Sequence, residues 1–221
     1  MIKAFIFDMD GVIIDSEPLH FEVDQWVMEQ IGVRITHSEL EEYVGMTNPA
    51  MWSRLIVKHS LRASVEDMIK LQMETKLAKL RASDDQPIEG IPELLAFLKA
   101  NQITIGLASS SPRGFIEAVL DKFSLTSYFS VILSGEEVPQ GKPAPDIYLQ
   151  TAETLGVEAA ECMVLEDSRN GVLAAKTAGM SCVGYRNPNS GDQDLTRADF
   201  MVDRISDIKP HLRSILSIPK L

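Results

Sequence analysis

Cysteine is scarce in this chain, and no apolar run approaches the length of a membrane span. Cys162 and Cys182 both lie in short apolar segments, and two cysteines do not make a disulfide framework. We therefore expect both to be reduced core residues in a reducing compartment. The N-terminal segment is interrupted by Lys3 and Asp8 and is too short and too charged for a secretion signal. These absences predict a cytoplasmic protein with no membrane partner.

Positive charge is also in deficit, with 21 Lys and Arg residues against 32 Asp and Glu residues and a net charge of −11. Nucleic-acid phosphates require a basic surface, so this balance argues against a nucleic-acid partner. It does not exclude a small phosphate ester, because a bound cation and one lysine can invert the local field. The length of 221 residues, 45% of them hydrophobic, fits one core domain with an insertion. A monomer is the default expectation.

Strand-like and helix-like segments alternate along most of the chain. Apolar runs rich in β-branched residues predict strands over residues 2–7, 103–108, 131–133, 162–165, 181–185 and 200–202. Helical periodicity predicts helices over residues 91–101, 112–123, 145–155, 171–178 and 205–216. This alternation predicts an α/β fold, a Rossmann-like doubly wound parallel sheet with helices on both faces.

The segment from residue 16 to residue 87 carries no strand signal. Its patterns predict helices over residues 19–31, 38–44, 49–58 and 65–80, with Ser38 and Glu41 as a capping box of the second. The polar residues 83–87 indicate a linker back to the sheet. We therefore assign residues 1–15 and 88–221 to an α/β core domain, and residues 16–87 to an inserted all-helical module.

The most informative segment is the apolar run 4–7, which is followed by Asp8, Asp10 and Gly11. Side chains two residues apart in an extended segment project to the same side, so both carboxylates can enter one site while Gly11 lets the backbone turn. Two such anions repel each other by about 4 kcal/mol at roughly 4 Å with an effective dielectric near 20. A divalent metal, or a raised pKa of one carboxyl group, would relieve this repulsion. Either outcome indicates a reactive site rather than a purely structural role for the two acids.

Other reactive side chains follow the later strands, and ligand sites in parallel sheets lie beyond the carboxyl ends of the strands. Serines at 109–111 follow the second strand, Glu166 and Asp167 follow the fourth, and Lys142 lies in the chain between them. Each alone has a simpler interpretation, since serines and acids cap helices and a lysine can be surface charge. Their joint occurrence at successive strand ends favours one anion-binding site.

Four motifs, taken in order, resemble those of the haloacid dehalogenase superfamily. They are D-x-D-G at 8–11, a strand ending in serine at 109, G-K-P-x-P-D at 141–146 and E-D-S-x-x-G at 166–171. The helical insertion resembles the cap domain of the β-phosphoglucomutase-like phosphatases. The resemblance implies a Mg²⁺-dependent phosphatase for a small phosphorylated metabolite, with a sugar or polyol phosphate favoured. Dehalogenases of the superfamily lack the second aspartate, so Asp10 favours phosphoryl transfer.

The resemblance also implies a role for each residue of the site. Asp8 would attack phosphorus and become an aspartyl-phosphate, and Asp10 would protonate the leaving alkoxide and later take a proton from water. Ser109 and Ser110, with Gly11 beside them, would hold the phosphate oxygens.

The implied metal site draws on the same strand ends. The carboxylates of Asp8 and Asp167 and the main-chain carbonyl of Asp10 would bind Mg²⁺, with Glu166 either a further ligand or a partner of one. Lys142 would compensate the charge on Asp8 and on the transferring group.

In the cap, His20 matches a histidine that orients the acid/base aspartate of the mutases, although a lone helical histidine is more often a packing or surface residue. Residues 45–47 resemble the cap loop that approaches the substrate. In sugar-phosphate mutases an arginine follows this loop and grips the second phosphate, whereas this chain has Asn48 there, and an amide cannot replace a guanidinium. The alternative function, a phosphomutase of the β-phosphoglucomutase type, stays open. A receiver-like regulatory domain is a third hypothesis, against which the insertion and Asp10 argue.

Overall fold

The structure, a computed structural model, describes residues 2–43 and 48–215. Its strands are β1 Ala4–Phe7, β2 Thr104–Ser109, β3 Val131–Ser134, β4 Cys162–Glu166, β5 Ser181–Tyr185 and β6 Phe200–Val202. They form one sheet in the spatial order β3-β2-β1-β4-β5-β6, and every pairing is parallel. The predicted parallel α/β fold is therefore confirmed.

The α-helices lie between and after these strands. They are α1 Glu17–Gln30, α2 His37–Glu41, α3 Asn48–Lys58, α4 Val65–Ala82, α5 Ile91–Ala100, α6 Arg113–Lys122, α7 Asp146–Leu155, α8 Arg169–Thr177 and α9 Ile208–Ile215. None of the described helices is both long enough and apolar enough to cross a membrane.

The central strands are buried on both faces. All four residues of β1 and all five of β4 are buried, and because successive side chains of a strand point to opposite faces, both faces of the sheet must be covered. Helix α7 packs against β1, β2 and β3, and α8 packs against β4 and β5. Burying a large apolar side chain contributes about 1.5–3 kcal/mol, so these strands anchor the fold. Cys162 and Cys182 are buried free thiols within this core, as expected.

The register of the sheet brings the ends of its central strands together. Phe7, the last residue of β1, pairs with Leu107 on one side and with Leu165 on the other. Strands β1, β2 and β4 therefore end within a few residues of one another at the same edge. Whatever follows Phe7, Ser109 and Glu166 in the chain must leave the sheet at that edge.

The chain divides into two compact units, one made of the residues up to Asp15 and from Asp85 onward, the other of residues Ser16–Asp84. The boundaries expected from the sequence were 15/16 and 87/88. The described part of the second unit contains α1–α4, and no strand is found in those residues.

The start of α2 differs from the prediction. Ser38 and Glu41 were expected to form a capping box, but the N-cap is Thr36, and the Ser38 prediction is wrong. Thr36 has an extended backbone, and its hydroxyl accepts the Glu39 N–H at 3.2 Å. This bond satisfies one of the free N–H groups of the first turn, so the helix begins two residues earlier than serine spacing suggested.

A buried polar chain joins three helices of the second unit. The indole Nε1 of Trp52 donates to Gln72 Oε1 at 3.3 Å, and Gln72 Nε2 donates to Asp24 Oδ1. Because the indole can only donate, it fixes the orientation of the Gln72 amide and turns the amide NH₂ toward the carboxylate. Burial raises the pKa of Asp24 to about 6, against the opposing effects of Gln72 and of the nearby charge of Lys76.

Candidate active site

The ammonium group of Lys142 joins two acids at the carboxyl edge of the sheet. Its Nζ donates to Asp8 Oδ1 and to Glu166 Oε1, each at 2.6 Å, and to the main-chain carbonyl of Ala108 at 3.1 Å. The three charged side chains are almost entirely buried. Buried charges persist when they are paired and hydrogen-bonded, and these are charge-assisted bonds. Lys142 is thus positioned to compensate the charge of Asp8.

Glu166 is surrounded by hydrogen-bond donors. Its Oε1 accepts from Lys142 Nζ and from Tyr148 Oη at 2.7 Å. Its Oε2 accepts from the N–H groups of Asp167 and Ser168, both at 3.1 Å, and from Ser168 Oγ at 2.9 Å. A carboxylate offers about four lone-pair positions, and five donors already occupy them. This geometry favours the second of the two roles left open by the sequence, a partner of the other site residues.

Burial and the charges of neighbouring side chains shift the pKa values of Lys142 and Tyr148. Burial disfavours the charged form of Lys142, but the carboxylates of Asp8 and Glu166 outweigh it and raise the lysine pKa above its usual value. Burial, followed by the Glu166 charge, raises the pKa of Tyr148 well above its usual value. Lys142 therefore stays charged while the Tyr148 hydroxyl stays protonated and able to donate.

Three carboxylates meet at this point. Asp8, Glu166 and Asp167 each offer an oxygen, and these oxygens lie within 4.8 Å of one another. Burial first, and then the charges of Glu166 and Asp167 against the opposing charge of Lys142, raise the pKa of Asp8 well above its usual value. Burial and the Glu166 charge raise the pKa of Asp167 to about 7. An all-oxygen cluster whose members repel one another is a donor set that fits a hard divalent cation.

Two glycines allow the carboxylates to approach the backbone. A Cβ atom at Gly11, whose φ is +73°, would lie 1.9 Å from Asp167 Oδ2. A Cβ atom at Gly171 would lie 1.7 Å from Glu166 Oε1. Neither position tolerates a side chain without moving an acid of the cluster. The glycines of the first and last motifs are therefore required by close packing as well as by the turn at Gly11.

The carboxylate of Asp10 is bound by hydroxyl groups from the end of β2. Ser111 Oγ donates to Asp10 Oδ2 at 2.7 Å, and Ser109 Oγ donates to the same oxygen at 3.3 Å. The Ser111 N–H donates to Ser109 Oγ at 3.0 Å, and Ser134 Oγ donates to the Ser111 carbonyl at 2.7 Å. Ser110 is exposed at this edge. The serines thus hold Asp10 in a fixed orientation next to the cluster.

The remaining sequence predictions concern the second unit. His20 lies on α1 and Asn48 is the first residue of α3, and both are half-buried. The predicted substrate loop, residues 45–47, lies outside the described residues. The roles suggested for His20 and Asn48 therefore stay predictions.

Sequence reasoning missed three residues that contact the site. Ser111 was considered only as part of a run of three serines. Tyr148 lies two residues inside α7, and an aromatic residue at such a position is normally interpreted as part of the hydrophobic core. Ser190 Oγ donates to Asp167 Oδ2 from the segment after β5. The strand-end rule that found the other residues also applies to β5, and it would have drawn attention to Asn187, Asn189 and Ser190.

The sequence that builds this site matches the model of a known protein family. Residues 5–185 match the family model described as haloacid dehalogenase-like hydrolase. The chain belongs to this family. The match confirms the resemblance drawn from the four motifs, and it runs from the second residue of β1 to the end of β5, with the helical unit included.

Relatives of this haloacid dehalogenase-like protein cover nearly its whole length. It is 32% identical to hexitol phosphatase B of Escherichia coli K12 over 209 residues, 94% of each chain. It is 36% identical to a phosphorylated carbohydrates phosphatase of Thermotoga maritima, with 81% of this chain and 82% of that protein covered. It is 30% identical to a β-phosphoglucomutase of Bacillus subtilis, with 94% and 92% covered.

A solved structure agrees with these relationships. The crystal structure of CbbY from Rhodobacter sphaeroides in complex with phosphate has a TM-score of 0.86 at 26% identity, and 94% of this chain and 96% of that chain are covered. The chain is therefore a haloacid dehalogenase-like hydrolase of the β-phosphoglucomutase-like group.

Proposed function

We propose that this protein is a Mg²⁺-dependent phosphatase acting on small phosphorylated sugars or polyols. The observation that carries the proposal is the pairing of Asp8 Oδ1 with Lys142 Nζ at 2.6 Å, beside the carboxylates of Glu166 and Asp167. A buried carboxylate that is held in one orientation by a cation is suited to nucleophilic attack on phosphorus. Relatives named for hexitols and phosphorylated carbohydrates support the substrate class.

The reaction would proceed in two displacements at phosphorus. A carboxylate oxygen of Asp8 forms a bond to phosphorus while the bond from phosphorus to the substrate oxygen breaks, and Asp10 gives its proton to the leaving alkoxide. Water then attacks the phosphorus of the aspartyl-phosphate while the bond from phosphorus to the Asp8 oxygen breaks, and Asp10 takes a proton from that water. Inorganic phosphate and the free Asp8 carboxylate are the products. Ser109 and the Ser110 N–H bind the phosphoryl oxygens, and Lys142 balances their charge.

The metal would be held by the carboxylates of Asp8 and Asp167 and by the main-chain carbonyl of Asp10. When bound, Mg²⁺ offsets the negative charge of the acids and of the phosphoryl group. Glu166 has its oxygens engaged by five donors, so its role is to position Lys142 and the loop that bears Asp167. The helical unit, residues 16–84, would serve as the cap that selects the substrate.

A phosphatase panel tests the proposal. The purified protein is incubated with Mg²⁺ and with hexitol, sugar, glycerol and nucleotide monophosphates, and inorganic phosphate is measured. We expect release from one or more sugar or polyol phosphates and none from the Asp8→Asn variant, whose amide is a poor nucleophile but keeps the side-chain shape. Equal release by Asp8→Asn, or no release from any ester, would contradict the proposal.

A phosphomutase is the second candidate, because one close relative is named a β-phosphoglucomutase. The fate of the phosphoryl group separates the two activities. With β-glucose 1-phosphate, a trace of glucose 1,6-bisphosphate and Mg²⁺, a phosphatase releases free phosphate, while a mutase forms glucose 6-phosphate without it. Asn48 favours the phosphatase, since an amide at that position cannot hold a second phosphate as an arginine would.

A further inference from the structure

The segment after β5 is tied to both acidic segments of the site. This segment, residues 187–190, is called the β5 loop below. Asn187 is buried, and its Nδ2 donates to the Gly11 carbonyl at 2.9 Å. Asn189 N donates to Asn187 Oδ1 at 2.9 Å, and Asn189 Nδ2 donates to a carboxylate oxygen of Asp15. The β5 loop is therefore fixed relative to the segment that bears Asp8 and Asp10.

The same loop holds Asp167 through a single hydroxyl group. Ser190 Oγ donates to Asp167 Oδ2, and Asp167 is only 5% exposed. Gly11 lies beside the same oxygen, since an added Cβ there would be 1.9 Å from Oδ2 and 2.9 Å from Ser190 Oγ. Oδ2 is thus bonded to the Ser190 hydroxyl and packed close to Gly11, and these two neighbours restrict rotation of the carboxylate.

We propose that Ser190 is a positioning residue that sets the orientation of the Asp167 carboxylate for cation binding. The inference rests on the proposed Mg²⁺ site and names a residue that the four motifs do not contain. Groups that hydrogen-bond to a metal ligand fix its orientation, and removing one typically weakens metal affinity by about 10–100-fold. Ser190 acts through Asp167 and touches neither substrate nor phosphorus.

Direct titration with Mg²⁺, in the absence of substrate, tests this role by calorimetry on the full chain. In Ser190→Ala we expect the Mg²⁺ Kd to rise by about tenfold, while kcat at saturating Mg²⁺ changes by less than about twofold. The Mg²⁺ concentration for half-maximal phosphatase activity should rise by the same factor as the Kd. Ser190→Thr, which keeps the hydroxyl, should restore an affinity close to wild type.

Thr196 offers a matched control. Its Oγ1 donates to Asp194 Oδ1 at 2.6 Å, a bond of the same kind a few residues away on the exposed surface. Thr196→Ala removes that hydroxyl without touching Asp167, so its Mg²⁺ Kd should be unchanged. A wild-type Kd in Ser190→Ala, or an equal loss in Thr196→Ala, would overturn the inference.

The same titration separates this inference from the proposed function. If the wild-type protein neither binds Mg²⁺ nor releases phosphate, the proposed function has failed. If it does both, and Ser190→Ala binds Mg²⁺ as tightly as wild type, only the positioning role has failed. A fall in kcat at saturating Mg²⁺ with an unchanged Kd would also contradict the positioning role.

Discussion

At the scale of single residues, Asp10 offers the sharpest test of the chemistry. Its carboxylate is held by Ser111 and Ser109, and an asparagine can accept the same two bonds through its amide oxygen. Asp10→Asn should therefore fold normally and keep the main-chain carbonyl that is proposed to bind Mg²⁺. An amide cannot exchange a proton with the alkoxide or with water. We expect kcat to fall by about 10²–10⁴-fold with an unchanged Mg²⁺ Kd, as measured by phosphate release and calorimetry.

Ser111→Ala separates the orientation of Asp10 from its acidity. The variant keeps the Asp10 carboxyl group, which can exchange a proton, but loses the 2.7 Å bond that fixes its orientation, so kcat should fall less than in Asp10→Asn. Wild-type turnover in Asp10→Asn would remove Asp10 from the proton-transfer role. A large loss of Mg²⁺ affinity in that variant would instead show that its side chain binds the cation.

Some residues of the site could be identified from the sequence, and others could not. Asp8, Lys142 and Asp167 could be found because each lies in a short motif next to a strand or turn with a recognisable pattern. Tyr148 could not, because its ring satisfies the apolar face of α7 and only the position of its hydroxyl, 2.7 Å from Glu166, shows a second role. Ser190 is 23 residues from its partner Asp167, a distance that only the fold closes.

At the scale of elements, α1 and α4 enclose an acid whose ionisation opposes folding. Asp24 of α1 is buried against Gln72 of α4, and its pKa is raised to about 6. Because the folded protein holds this proton more tightly than the unfolded chain, the contribution of Asp24 is favourable at low pH. It is lost as the pH rises from about 4 to about 6. The destabilisation above pH 6 is at most roughly 3 kcal/mol, from about two pKa units.

Asp24→Asn tests this contribution. The variant keeps the acceptor for Gln72 but cannot ionise, so its unfolding free energy relative to wild type should increase between pH 4 and pH 8. Denaturant unfolding followed by circular dichroism at several pH values measures the difference. Glu22→Gln is the control, because Glu22 is an exposed α1 acid bonded to Lys79 of α4, and exposed pairs contribute less than about 1 kcal/mol. A difference between wild type and Asp24→Asn that is independent of pH would contradict the assignment.

Strands and helices could be predicted where the residues that define them are close together in the sequence. All six strands and the helices of the α/β unit lie within about three residues of the prediction, because apolar periodicity and flanking turns define them. The start of α2 was misjudged, because Thr36 and Ser38 are both good N-cap residues and spacing alone cannot choose between them. The structure identifies Thr36 as the N-cap, because its backbone is extended and its hydroxyl accepts the Glu39 N–H.

At the scale of the whole molecule, the acidic cluster couples metal binding to the stability of one unit. Asp8, Glu166 and Asp167 lie at the ends of β1 and β4 or directly after them, and these strands are separated in sequence and joined only in the folded sheet. The unfolded chain therefore has no such cluster, and a cation that binds it stabilises the folded state. At a Mg²⁺ concentration 100 times the Kd, the stabilisation is about 2.7 kcal/mol.

This coupling predicts that Mg²⁺ raises the melting temperature and that EDTA reverses the change. For a chain of this size a gain of about 2.7 kcal/mol corresponds to roughly 5–11 °C, which differential scanning calorimetry resolves. The transition of the α/β unit should move, while the helical unit, residues 16–84, contains none of the three acids and gains nothing directly. Asp167→Asn should lose most of the shift, and NaCl at matched ionic strength should not reproduce it. An equal shift in Asp167→Asn would mean that Mg²⁺ binds elsewhere on this acidic protein, and the carboxylates of Asp8 and Asp167 would then not hold the metal.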